Sequence, residues 1–179
     1  MEKNAFWNDV AKAGAVMAGV QILAVMADLF LTPSSAIWAT LFFVALFVVL
    51  LFVLARRRAA RVGAAGFNYG QCMKYFFWMM VFAGILYGAW EIIARNVLFT
   101  ERYEEQMNEA LAVMPRFYSA GQIDMARSML RSMFFSPVWL VVLSVLTCVI
   151  KGCFFGLFVA AFVQRQPDIF SDSEERTHE

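Results

Sequence analysis

Apolar residues along this chain gather into four long runs, separated by short polar breaks and by one long interval whose apolar positions recur every three or four residues. The runs cover about 13–31, 37–54, 75–98 and 138–163. Each comes close to or exceeds the ~20 residues that cross about 30 Å of hydrocarbon at about 1.5 Å per residue. The break at Thr32-Pro33-Ser34-Ser35-Ala36 is too short to cross anything, so the second run must return antiparallel to the first. The second run, WATLFFVALFVVLLFVL, carries no ionisable residue, as expected of a helix that faces lipid.

The long interval, 99–137, reads as two amphipathic helices. Tyr103, Met107, Ala110, Leu111, Met114 and Phe117 recur at helical spacing, and Pro115 to Gly121 interrupts them. Ile123, Ala126, Leu130, Met133 and Phe134 then repeat the period opposite Asp124, Arg127 and Arg131. The pattern predicts an all-α polytopic membrane protein, with four transmembrane helices in two antiparallel hairpins and an external pair of amphipathic helices between spans 3 and 4. Residues 1–166 form one membrane domain and 167–179 a polar tail. Residues 1–12 read as an interfacial helix start, with Trp7 at headgroup depth.

Composition agrees with a lipid solvent. Hydrophobic residues make up 61% of the chain and charged residues 16%, against about 45–50% and about 25% in soluble domains. Charge is nearly balanced, with 15 Lys+Arg against 14 Asp+Glu, which argues against a nucleic-acid partner. The basic residues concentrate at Arg56, Arg57, Arg58 and Arg61, in the loop between the second and third runs. By the positive-inside rule that loop is cytoplasmic, and so are both termini.

Polar residues inside the runs mark places where the bundle has work to do. An ionisable side chain at a helix centre costs about 2.5–3.5 kcal/mol on the insertion scale, so it must lie near an end, snorkel or pair. Gln21, Asp28, Glu91, Arg95 and Lys151 form the candidate intramembrane cluster. Asp28 and Arg95 lie near the outer ends of their spans. Counted from span ends at Tyr75 and Val163, Glu91 and Lys151 come within reach of each other, which predicts an ion pair. The fourth run carries Ser144, Cys148, Gly152, Gly156 and Ala160 at four-residue spacing, and the third carries Gly84 and Gly88. Small residues let membrane helices approach closely. The same count sets Gly84 opposite Gly156 and Gly88 opposite Gly152.

Nothing in the sequence supplies catalytic chemistry. There is no G-x-S-x-G, no H-E-x-x-H and no phosphate loop, and the single histidine, His178, lies in the tail. Cys72, Cys148 and Cys153 have spacing unlike a zinc site and read as packing residues. Met107, Met114, Met125, Met129 and Met133 read as adaptable apolar packing rather than a soft-metal site. The expectation is therefore a protein that is not an enzyme and has neither cofactor nor bound metal.

Several short motifs together resemble a known family. The aromatic N-terminal start Phe6-Trp7, the loop ending Phe67-Asn68-Tyr69-Gly70-Gln71, the long insert, and Pro167-Asp168-Ile169-Phe170 after the last span resemble the small bacterial inner-membrane proteins catalogued as domain of unknown function forty-one ninety-nine. That family has no established activity. The resemblance implies an inner-membrane location and a partner among membrane-associated glycosyltransferases; the arginine run departs from the family pattern. Three readings stay open: an accessory or scaffold subunit in envelope biogenesis, a small transporter or ion-conducting homo-oligomer using Gln21, Glu91 and Lys151, and a lipid-handling protein whose Met-rich helices grip an acyl chain.

Overall fold

The computed structural model describes residues 2–31, 33–62, 66–112 and 120–164. Thr32, Gly63, the connection from Pro115 through Ser119 and the tail motif Pro167-Asp168-Ile169-Phe170 lie outside the described residues. The described chain is helical: α1 (Glu2–Phe30), α2 (Pro33–Val62), α3 (Tyr69–Ile93), a π-helical turn (Ala94–Leu98), α4 (Thr100–Ala112), α5 (Ala120–Phe135) and α6 (Pro137–Val163). Four of these segments, Asn4–Phe30, Ser35–Val62, Tyr69–Leu98 and Pro137–Val163, are long and apolar enough to cross a membrane.

The helices outrun the apolar runs at one end. α1 incorporates the charged N-terminal segment, and α2 continues through the arginines to Val62, so the predicted basic loop is the last two turns of a helix. α3 starts at Tyr69, six residues before the expected Tyr75. The cause is local: Gly66 turns the chain at φ 75, and Asn68 caps the helix by accepting from the Gln71 N–H at 2.8 Å while the Gln71 side chain accepts from the Asn68 N–H at 3.2 Å. Pro137 opens α6, where its missing N–H costs no intrahelical bond.

The bundle is built on α3, which packs most extensively against α6 and next against α1. Two kinds of close approach hold α3 to α6. A Cβ on Gly84 would lie 2.5 Å from Val145 Cα, and one on Gly88 would lie 2.9 Å from Val141 Cα, so there the two backbones touch. On the other side, Gly152 and Gly156 make room for the large side chains of Met80 and Phe76. The predicted small ridge, Ser144, Cys148, Gly152, Gly156 and Ala160, is buried along its length. The glycines of the two helices do not face each other, however: Gly84 meets Val145 rather than Gly156 and Gly152 meets Met80 rather than Gly88, a register shift of about two to three turns to which the earlier start of α3 contributes. Gly14 gives α1 the same intimacy with α3, its added Cβ falling 2.9 Å from the Met79 carbonyl oxygen.

α2 is the outermost helix. Phe47, Leu51, Ala55 and Ala59 bury it against the bundle near the arginine end. Its other half does not follow: Ile37, Trp38, Leu41 and Phe42 are 57–74% exposed. At the opposite end α4 and α5 dock on the bundle. Tyr103, Met107 and Leu111 are buried, as their spacing predicts, and a satellite core gathers Leu29, Ala94 and Tyr103 with Trp90, Phe99 and Phe135. On α5 the methionines depart from expectation. Met125, Met129 and Met133 are exposed, because Leu130 and Phe134 supply the half-buried face.

Candidate functional site

The polar residues of the bundle resolve into three groups. The first lies at the arginine end. Asp9, immediately before Val10, the first residue of the buried face of α1, accepts from Arg58 at 2.6 Å and from Arg61. The Arg58 guanidinium also lies 5.6 Å from the centre of the Phe6 ring. This ion cluster clamps the first turns of α1 to the last turns of α2. Together with Trp7, Phe67, Gln71 and Lys74 it lines an open pocket of about 780 Å³. Arginine counts in the sequence mark this end, but Asp9 as their partner was not foreseen.

The second group lies under α4 and α5. Arg95 Nε donates to Glu91 Oε2 at 2.6 Å, one helical turn apart. The ion pair predicted between Glu91 and Lys151 is therefore replaced by one within a single helix. The guanidinium is held between two rings, 4.8 Å from that of Tyr103 on α4 and 5.0 Å from that of Phe134 on α5. A cation over an aromatic face is worth about 0.5–2 kcal/mol, so Arg95 joins three elements. It sits in the π-helical turn, whose wider winding departs from the α-helical ladder. Glu91 is 1% exposed. Its Oε1, the Trp90 Nε1 and the Tyr103 hydroxyl are buried with no hydrogen-bond partner among the described residues. Burial first, and then the Glu91 charge, pushes the Tyr103 phenol up to about 12, so it stays protonated at ordinary pH.

The third group lies between α1, α2, α3 and α6. Where α2 leaves the bundle, a cavity of about 230 Å³ opens, lined by Gln21, Asp28, Thr40, Tyr87 and Lys151 among apolar residues. Gln21 Nε2 donates to Cys148 Sγ at 2.9 Å, tying α1 to α6, and Thr40 donates to the Ala36 carbonyl at 2.8 Å. Of the five residues expected to cluster, the structure thus gathers Gln21, Asp28 and Lys151 in one cavity and pairs Glu91 with Arg95 outside its lining. Tyr87, one turn before Glu91 on α3, lines the cavity and had no signal in the sequence beyond its place in an apolar run.

The cysteines are unbridged; Cys72 and Cys148 are buried and Cys153 half-buried. No group of three or more His, Cys, Asp or Glu able to hold a metal occurs among the described residues. Comparison with protein families, curated proteins and solved structures returns no match.

Proposed function

We propose that this protein is a non-enzymatic accessory or scaffold subunit of the bacterial inner membrane, acting in envelope biogenesis beside a membrane-associated glycosyltransferase. In this reading the spans form two antiparallel hairpins. The arginine end and both termini face the cytoplasm by the positive-inside rule, and α4 and α5 cover the periplasmic end. The observation that supports it is how the charged and apolar residues divide. The most buried charged side chain among the described residues, Glu91, is neutralised inside its own helix and covered by α4 and α5. Towards the arginine end Met17, Leu51, Phe76, Met79 and Met80 are 0% exposed, in a core whose buried members include no charged side chain among the described residues. A conducting role for Gln21, Glu91 and Lys151 needs Glu91 wetted and a polar path through that core.

The test is purification of the full-length tagged protein from native membranes in mild detergent, with identification of what accompanies it. A stoichiometric glycosyltransferase or another envelope enzyme supports the reading. A homo-oligomer that carries no partner and passes ions when reconstituted in liposomes overturns it.

A further inference from the structure

The open pocket at the arginine end is lined by charge that the protein answers only in part. Among the described residues, Arg58 and Arg61 on α2 and Lys74 on α3 line it against the single carboxylate of Asp9, so three cations over one anion leave an excess of two positive charges. Asp9 takes one Nη from each guanidinium. That contact fixes both side chains and leaves the remaining N–H groups of each five-donor fork without a hydrogen-bond partner among the described residues. Arg58 is held further by the Phe6 ring, 5.6 Å away. The Lys74 ammonium has neither a hydrogen bond nor an ion pair among the described residues. Preset donors around an excess of positive charge suit phosphate, which Arg binds through its planar fork and Lys as a point charge.

The size of the pocket and the surface leading out of it narrow the ligand. At about 780 Å³ it falls within the about 300–1,000 Å³ of ligand sites, so a single phosphate leaves most of it unfilled. The way out is apolar. Lys74, Trp78 and Phe82 follow one another at four-residue spacing and share one face of α3. Trp7, which also lines the pocket, lies across that face, its ring 5.1 Å from that of Trp78 and 6.3 Å from that of Phe82. Ile85, one turn beyond Phe82, is exposed. Lys74 stands near the start of the span Tyr69–Leu98, at the arginine end, and the aromatic face runs from it towards the middle of that span. A ligand with a charged head and an apolar chain uses both, with its head in the pocket and its chain along α3. A soluble anion uses only the first.

We propose that this pocket binds the headgroup of a membrane lipid with two phosphodiesters, of the diphosphatidylglycerol type, one phosphate on the Arg58–Arg61 pair and the other on Lys74. Two phosphodiester charges balance the excess of two on the lining, whereas a headgroup with one phosphate leaves a cation unanswered. Basic pockets between membrane helices bind headgroups of this class. The site requires only that the four helices lie in a membrane. It stands whether or not a protein partner exists, and on whichever side the arginine end lies.

The test uses the full-length protein in nanodiscs of phosphatidylethanolamine containing equimolar phosphatidylglycerol and diphosphatidylglycerol, released into mild detergent and weighed by native mass spectrometry. The wild type should retain diphosphatidylglycerol about fivefold over phosphatidylglycerol, the factor that one further cation–phosphate contact supplies near a membrane surface. Lys74→Gln should abolish that preference at unchanged melting temperature, since its ammonium has no ion pair or hydrogen bond to lose among the described residues. Arg61→Gln should lower retention, while the double variant Arg56→Gln, Arg57→Gln should not, because those two arginines share the helix end but do not line the pocket. Equal retention of both lipids by the wild type overturns the proposal whatever the variants do. So does an undiminished preference in Lys74→Gln. A loss in the Arg56, Arg57 double variant as large as that in Arg61→Gln also overturns it, since it would mark general surface attraction. Stabilisation of the delipidated protein by inorganic pyrophosphate, equal to that by diphosphatidylglycerol at the same concentration, overturns the assignment to a membrane lipid.

Discussion

Replacing Arg95 by Leu isolates the electrostatics that hold α4 and α5 to the bundle. Arg95 Nε lies 2.6 Å from Glu91 Oε2, and the Glu91 side chain is 2% exposed. Its second oxygen already lacks a partner among the described residues. Removing the guanidinium leaves a buried carboxylate with no counter-charge, a change that costs about 3–5 kcal/mol. The contacts with Tyr103 and Phe134 are lost as well. Glu91→Leu should cost less, about 1–3 kcal/mol, because Arg95 is 20% exposed and keeps both rings. In the double variant no charge is stranded, so its loss should fall short of the summed singles by about 2–3 kcal/mol. Titration of SDS into mixed micelles, followed by tryptophan fluorescence, reads all four unfolding free energies. Losses that add to within about 0.5 kcal/mol would refute the pairing. So would a coupling of Glu91 to Lys151 as large as that to Arg95.

Other substitutions probe packing, titration and orientation. Gly84→Ala sets a methyl 2.5 Å from Val145 Cα, where backbone must move, and should cost about 1–3 kcal/mol. Gly19→Ala meets nothing within 4 Å and should gain about 0.5–1 kcal/mol by restricting the unfolded chain; similar values for both in the SDS titration would remove close helix approach as the cause. The Tyr103 phenol titrates at about 12 in the folded protein against an ordinary 10.0. The folded state therefore holds that proton more tightly, and the resulting stability is complete below pH 10 and lost as pH rises to about 12. Tyr103→Phe should lack this share of the alkaline loss, seen as a smaller drop in melting temperature between pH 9 and 12 than in wild type, and should be near neutral at pH 7 because the hydroxyl it removes has no hydrogen-bond partner among the described residues. Neutralising Arg56, Arg57, Arg58 and Arg61 together by Gln should scramble the orientation reported by C-terminal reporter fusions; an unchanged orientation would show that other residues set topology.

Much of this architecture was legible from local pattern. The length and apolarity of the four runs determine four helices fit to cross a membrane, because a lipid-exposed backbone must satisfy its own hydrogen bonds. The buried ridge from Ser144 to Ala160 and the buried Tyr103, Met107 and Leu111 were visible too, since four-residue spacing puts them on one helix face. The Glu91–Arg95 pair was available by the same rule, and only a count of depths that began at Tyr75 instead of the capped Tyr69 pointed to Lys151. What tertiary structure alone decided is register, rotation and gaps: Val145 rather than glycine against Gly84, Asp9 between Arg58 and Arg61, Gln21 on Cys148, and the cavity left where α2 turns away. Uniformly apolar helices have no hydrophobic gradient to orient them against one another in lipid. Side-chain shape and a few polar contacts settle how they meet, and those depend on residues far apart in the chain.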